Sequence, residues 1–494
     1  MKRPAFLIPT VWIAALTALL LAALLEAANR GYVSTSNMDL WGRTLLASSG
    51  ELSIQKVVTA FPPLPYATVL AIHGAVPGLD FAAPQLLSAL IASLLVWGWY
   101  RTLRESGFSL RPAILAVLLL AGSPLYLRAV AEGPGFMMLL AGFWLFALGM
   151  FQLRRGHRVN DIILVSTGLV ITGFSHPFGL MLVLGVLPFL ALAAPPDRLR
   201  TATLAVLLVL LFPLIFALAS FIYVNWVFAG DGFYFLSHLS RETAGLGSSN
   251  VLFFDAGQMP GGIVPPLIAA MGVFAVSPIA ISMFVLTARL PPLRLAAAGL
   301  IGHLVCTMFL AYMFGLLPPI AAAASLGLPL AAATSARWPQ PRPHRSGVII
   351  MLLAGFIGSW LIAATDPASE TVRWRAALTG APVPSTDPEL DALAAHTQHK
   401  DSVLFDAEAA PAVIALRGNA QGIWSADTTQ FRIAALSKTI DARMIVVRNP
   451  HSALGGGRVA RNFPRLYDEG HPGYHRLFDS GRWRIYVASE GERQ

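Results

Sequence analysis

The chain has 494 residues, 55% of them apolar and 12% charged, with a mean hydropathy of +0.64. This composition excludes an ordinary soluble protein. The net charge of +9 does not point to nucleic acid, because residues 366–494 carry 15 basic and 15 acidic residues and leave the whole excess in the apolar part, where it reports orientation in a membrane. The single cysteine, Cys306, permits no intrachain disulfide and lies in an apolar run, as a packed core thiol would.

The opening "MKRPAFLIPTVWIAALTALLLAALL" has the basic start of a signal peptide. Its apolar run is long and passes into Glu26 without a cleavage site, so it reads as a retained first span. A crossing helix needs roughly 20 apolar residues. Candidate spans in chain order are Pro4 to Leu25, Phe81 to Tyr100, Pro112 to Leu127, Pro134 to Leu153, Ile162 to Ser175, Phe178 to Ala194, Thr201 to Phe228, Gly261 to Thr287, Leu295 to Phe314, Leu317 to Ala336 and Gly347 to Ala364, eleven in all.

With the N-terminus in the cytoplasm, every basic cluster falls inside: 15 basic residues against three acids, whereas the outer loops of the membrane part hold five against eight. Two assignments carry this parity. His176-Pro177 divides residues 162–194 into two short spans. "FPPLPYATVLAIHGAVPGL" is placed as a helix lying at the outer interface, since counting it as a span would export Arg101, Arg104 and Arg111. Residues 1–365 then form a transmembrane domain with outer loops 29–80 and 229–260, and residues 366–494 an extracytoplasmic domain.

That second region alternates helix and strand. "PELDALAAHT", "AEAAPAVIALRG" and "TQFRIAALSK" read as helices, "SVLFD", "RMIVVR" and "WRIYVA" as strands, the pattern of a small α/β domain. Gly455-Gly456-Gly457 reads as a turn rather than a phosphate cradle.

No Walker A sequence, zinc-type Cys/His spacing, G-x-S-x-G elbow or dinucleotide fingerprint is present. The inner loops are at most 11 residues long, too short to house a nucleotide-sugar site. An enzyme with this topology meets its substrates outside, where the available activated donor is carried by a membrane lipid. Asp39 is then a candidate general base for an acceptor hydroxyl, or else a helix N-cap in "SNMDLWGRTLLASSG". Glu132, in "YLRAVAEGPGF", either supports that base or pairs with Arg128 four residues earlier. His176 either donates to a phosphate or caps a helix. Arg43, Lys56 and Arg241 are outward cations that would hold a phosphate headgroup or anchor to lipid headgroups in general.

The order of these features resembles the GT-C superfamily of glycosyltransferases. The likeness is carried by the first span, the outer loop with its Asp, the Pro-Pro-Leu before an interfacial helix, "SPLYLRAVAEGPGFMMLLAGFWLFALGMFQLRR", "ITGFSHPFGLMLVLGVLPFLAL" and "NWVFAGDGFYFLSHLSRETAG". It is greatest toward the branch of protein O-mannosyltransferases and aminoarabinose transferases. The resemblance implies a polytopic helical fold with an extracytoplasmic α/β tail, a catalytic carboxylate at Asp39, a second acid at Glu132, and a polyprenyl-phosphate sugar donor held by outer cations. The O-mannosyltransferases have adjacent acids where this chain has Met38-Asp39, so glycolipid and polysaccharide acceptors stand beside protein ones. The outer acids are dispersed, so transfer without a metal or other cofactor is expected. The expected setting is the bacterial inner membrane, with the tail periplasmic. Two other classes stay open: a transporter or flippase of envelope glycolipids, with His303 as its titratable intramembrane group, and a non-catalytic scaffold in polysaccharide assembly.

Overall fold

The structure is a computed structural model. It describes the chain except residues 1–6, 49–53, 77, 80–81, 157–158, 194–195, 236–261, 288–289, 340–344, 386, 399, 427, 452–456 and 490–494. The fold is mostly helical. In chain order the first twelve helices are α1 (Leu7–Asn29), α2 (Thr35–Ser48), α3 (Ile54–Thr59), α4 (Pro63–Ala75), α5 (Ala82–Glu105), α6 (Leu110–Ala121), α7 (Pro124–Glu132), α8 (Pro134–Gly156), α9 (Val159–Ser175), α10 (Pro177–Val186), α11 (Leu190–Ala193) and α12 (Pro196–Ala229). They are followed by α13 (Val264–Val276), α14 (Pro278–Leu286), α15 (Pro291–Met313), α16 (Ile320–Ser325), α17 (Gly327–Arg337), α18 (Arg345–Thr365) and α19 (Ser369–Thr379).

Six helices are long and apolar enough to cross a membrane, in α1, α5, α8, α12, α15 and α18. The pairs α6 with α7 and α13 with α14 qualify only jointly, and they bend by 57° and 82° at their junctions. The chain is thus a multi-pass membrane protein with six to eight candidate spans among the described residues, rather than the eleven expected. The difference lies at prolines. Pro124, Pro177 and Pro278 each open a helix directly after a break, because the ring removes an N–H and fixes φ for a first turn but not for a helix interior. As a result α9 has 17 residues and α10 only 10. The segment expected from Leu317 to Ala336 divides at Leu326 into α16 and α17. The 13 residues of α4 are too few to cross.

Burial places α8 at the centre: 72% of its apolar window is enclosed, against 11% for α1. It packs on α9 through small residues. A Cβ on Gly168 would lie 2.5 Å from Phe146 N, and one on Gly142 would lie 2.7 Å from Thr172 Oγ1. Close backbone approach of this kind supplies packing where lipid offers no hydrophobic driving force.

After α19 come α20 (Pro388–Thr397), α21 (Pro411–Arg417), α22 (Thr429–Ser437), α23 (Arg458–Asn462) and α24 (Leu466–Glu469), interleaved with β1 (Val403–Phe405), β2 (Ile423–Trp424), β3 (Met444–Arg448), β4 (Tyr474–Asp479) and β5 (Trp483–Ala488). The sheet order is β2-β1-β3-β5-β4. β1 is parallel to β2 and β3, with Val403 opposite Ile423 and Met444, while β5 runs antiparallel to both β3 and β4.

Helix α2 joins this sheet to the membrane bundle. Trp41 and Leu45, one turn apart, share a core with Val403, Phe405, Val413, Ile414 and Trp483. On the same helix Asp39 and Arg43, also one turn apart, are half-buried and point elsewhere, since residues two apart lie about 200° apart around a helix. The contact with α21 is at backbone distance: a Cβ on Gly42 would stand 1.9 Å from Pro411 O. Arg30 Nη1 donates to Ala377 O at 3.1 Å, and Arg373 Nη1 to Val33 O at 3.3 Å, so the C-terminal end of α1 meets the helix that follows α18.

Candidate active site

Three separated stretches of chain bring expected site residues to one cavity of about 240 Å³. Asp39 and Arg43 reach it from α2, Glu132 from the end of α7, and His176 from the junction of α9 and α10. Its walls include Phe61, Phe178, and the Leu316–Pro319 stretch between α15 and α16. Phe61 is held by aromatic neighbours, with ring centroids 6.2 Å from Phe221 and 5.4 Å from Phe235.

Asp39 is not the N-cap that "SNMD" allows. Helix α2 begins at Thr35, and Ser34 serves its first turn: the Ser34 hydroxyl accepts from Asn37 N at 3.1 Å and donates to Glu132 O at 2.7 Å. Asp39 therefore sits one turn inside the helix, on the face that also carries Thr35 and Arg43. Arg43 Nη1 donates to Phe61 O at 3.2 Å, fixing the guanidinium against the Pro-Pro-Leu segment.

Glu132 accepts from Arg128 Nη1, so the pairing that the spacing allowed is formed. Arg128 is itself buried, at 4% exposure, and lines the cavity. His176 is the N-cap of α10: its Nδ1 accepts from Phe178 N at 3.2 Å, and its ring meets Phe136 edge to face at 5.4 Å. Burial lowers its pKa from the usual histidine value. A neutral ring whose Nδ1 accepts carries its proton on Nε2, so His176 offers the cavity a neutral donor rather than a cation.

The remaining cations are placed less fully. Lys56 lies on α3, and Arg241 lies outside the described residues. Glu370, which sequence reasoning did not single out, is 5% exposed in the first turn of α19 and lines the cavity. Its Oε1 accepts from Thr35 N at 3.3 Å, from the Thr35 hydroxyl, and from Arg373 Nη1 at 3.2 Å. Arg373 also stacks its guanidinium over the Tyr32 ring at 5.5 Å.

No protein-family model and no curated protein matches the chain. One solved structure that aligns with it is the mycobacterial arabinofuranosyltransferase AftD, with 14% identity over 98% of this chain and a TM-score of 0.37. The alignment spans 40% of the AftD chain. A similarity this distant carries no role for any residue here.

The constellation has definite chemical capacity. A carboxylate, a guanidinium and a neutral imidazole N–H face a partly enclosed volume with apolar walls, where charge interactions are stronger than in water. Among the described residues no group of three His, Cys, Asp or Glu side chains is placed to hold a metal ion. Glu132 and Glu370 are each committed to an arginine.

Proposed function

We propose that this protein is a glycosyltransferase of the bacterial inner membrane that moves a sugar from a polyprenyl-phosphate donor to an acceptor at the outer face, as the resemblance to GT-C enzymes implies. The observation that carries this reading is the convergence of Asp39, Arg43, Glu132 and His176 from three parts of the chain on one cavity. In the reaction the acceptor hydroxyl oxygen bonds to the anomeric carbon of the donor. The bond from that carbon to the phosphate oxygen breaks, and its electron pair leaves with the polyprenyl phosphate. Asp39 takes the hydroxyl proton as general base. Arg43 and the His176 Nε2–H stabilise the charge gathering on the phosphate, with Lys56 and Arg241 completing the cation set. Glu132 acts through Arg128, holding it in place. The apolar wall at Leu316–Pro319 suits the isoprenoid chain. With two of the cavity carboxylates tied to arginines, transfer is proposed to proceed without a divalent cation.

Cavity-lining Asp39 favours an enzyme over a silent scaffold, in which the first outer loop would be packed shut. A transport path finds less support. His303 is 1% exposed, wedged against Phe143 and Phe146, with Nε2 on Leu182 O at 2.8 Å.

The test is Asp39→Asn, purified and assayed with a panel of labelled polyprenyl-phosphate sugars and an inner-membrane lipid extract as acceptor. Loss of the base lowers turnover by roughly 100-fold or more, with donor binding retained. Near wild-type turnover would remove Asp39 from the mechanism.

A further inference from the structure

Asn37, Arg128 and Glu370 line the cavity from α2, α7 and α19. All three are buried, at 3%, 4% and 5% exposure, and each has a buried polar atom without a hydrogen-bond partner among the described residues: Asn37 Oδ1, Arg128 Nε and Glu370 Oε2. Their other ends are fixed. Asn37 Nδ2 donates to Ala131 O at 3.4 Å, Arg128 Nη1 donates to Glu132, and Glu370 Oε1 is held by Thr35 and Arg373. A buried polar atom left unpaired costs its full desolvation, so three around one cavity call for a common partner.

The chemistry of that partner follows from the set, which is two acceptors and one donor. A phosphate near neutral pH presents oxygens that accept, and these cannot serve Asn37 Oδ1 or Glu370 Oε2. A hydroxyl group both donates and accepts, and a ring with neighbouring hydroxyls can satisfy all three. We infer that Asn37, Arg128 and Glu370 form the sugar subsite of the cavity, apart from the phosphate-binding group at Arg43 and His176.

Helix geometry supports the separation. Thr35, Asp39 and Arg43 follow one another at every fourth residue down one face of α2, so Glu370, held on Thr35, and Arg43 are spaced about 12 Å apart along the axis with Asp39 midway. The base thus stands between the sugar end and the phosphate end. Gly133 shapes the sugar end: its φ is +126°, and a Cβ there would lie 2.3 Å from Asn37 Oδ1.

This assignment rests on the donor being a sugar-bearing polyprenyl phosphate, and its test keeps the two ideas apart. Binding of undecaprenyl phosphate and of its mannosyl, glucosyl, galactosyl and arabinosyl derivatives is measured on the full-length protein in nanodiscs, for wild type, Glu370→Gln and Asn37→Ala. The expected result is that wild type prefers at least one sugar-bearing lipid to the bare one. Each variant then loses about tenfold in affinity for that lipid while binding the bare phosphate within about twofold of wild type. Equal losses for both lipids, or no loss in either variant, overturn the subsite while leaving the donor class standing. Binding of neither lipid by folded wild type removes the donor assignment and the subsite with it. If Glu370→Gln melts early, Asn37→Ala decides alone, since it leaves the Glu370–Arg373 pair intact.

Discussion

At the scale of single residues, His176 shows how a packing role and a chemical role coincide. The imidazole must stay neutral, because Nδ1 accepts from the Phe178 N–H and protonation would turn that acceptor into a donor. Burial holds its folded pKa below the unfolded value, so its contribution to stability is fully present above about pH 6.5 and is lost as the pH falls toward the folded pKa. An Asn at this position can also cap a helix but does not titrate. His176→Asn is therefore expected to flatten the fall in melting temperature between about pH 7.5 and pH 5, read by thermal denaturation in detergent. An unchanged slope would show that the acid sensitivity arises elsewhere. The proximity of Arg128 to Glu132 was legible as an i, i+4 pair. Glu370 was not legible: it lies more than 300 residues from Thr35, and no local pattern marks an acid after the last span as part of the first loop's site.

At the scale of elements, α2 is the part on which the site depends. Its two faces serve different partners, with Trp41 and Leu45 in the core of the sheet and Asp39 and Arg43 at the cavity. Gly42 lets the helix lie directly on Pro411, whose carbonyl is backbone and cannot step aside. Gly42→Ala is expected to push α2 and α21 apart, costing about 1–3 kcal/mol in stability and lowering transfer through displacement of Asp39. A variant with wild-type melting temperature and turnover would show that α2 is not clamped there. Helices α20, α21 and α22 and strands β1, β3 and β5 were readable from apolar runs and their punctuation, whereas the short α23 and α24 were not. Two strands were not: β2 has only two residues, and β4 is a mostly exposed edge strand without alternation. The eleven-span expectation is met only in part, because α9, α10, α16 and α17 are each too short to qualify by length alone.

At the scale of the whole molecule, the Arg30–Ala377 and Arg373–Val33 contacts bring the ends of α1 and α18 to one side of the bundle. An even number of crossings must therefore lie between them. Eleven spans supply ten, whereas the six or eight segments that qualify by length and apolarity supply five or seven. An odd number of the shorter or broken helices must also cross if all the qualifying segments do. The core that Trp41 and Leu45 share with Val403, Phe405 and Trp483 sets the sheet against α2, the helix that carries Asp39 and Arg43. The central claim, a lipid-phosphate donor seated beside Asp39, is tested most directly by cryo-electron microscopy of the full-length protein in nanodiscs loaded with undecaprenyl phosphate. Phosphate density within hydrogen-bonding distance of Arg43 and His176, about 3 Å, with the lipid running along Leu316–Pro319, is the expected result. Phosphate density at any other position, with the Asp39 cavity empty, would contradict it.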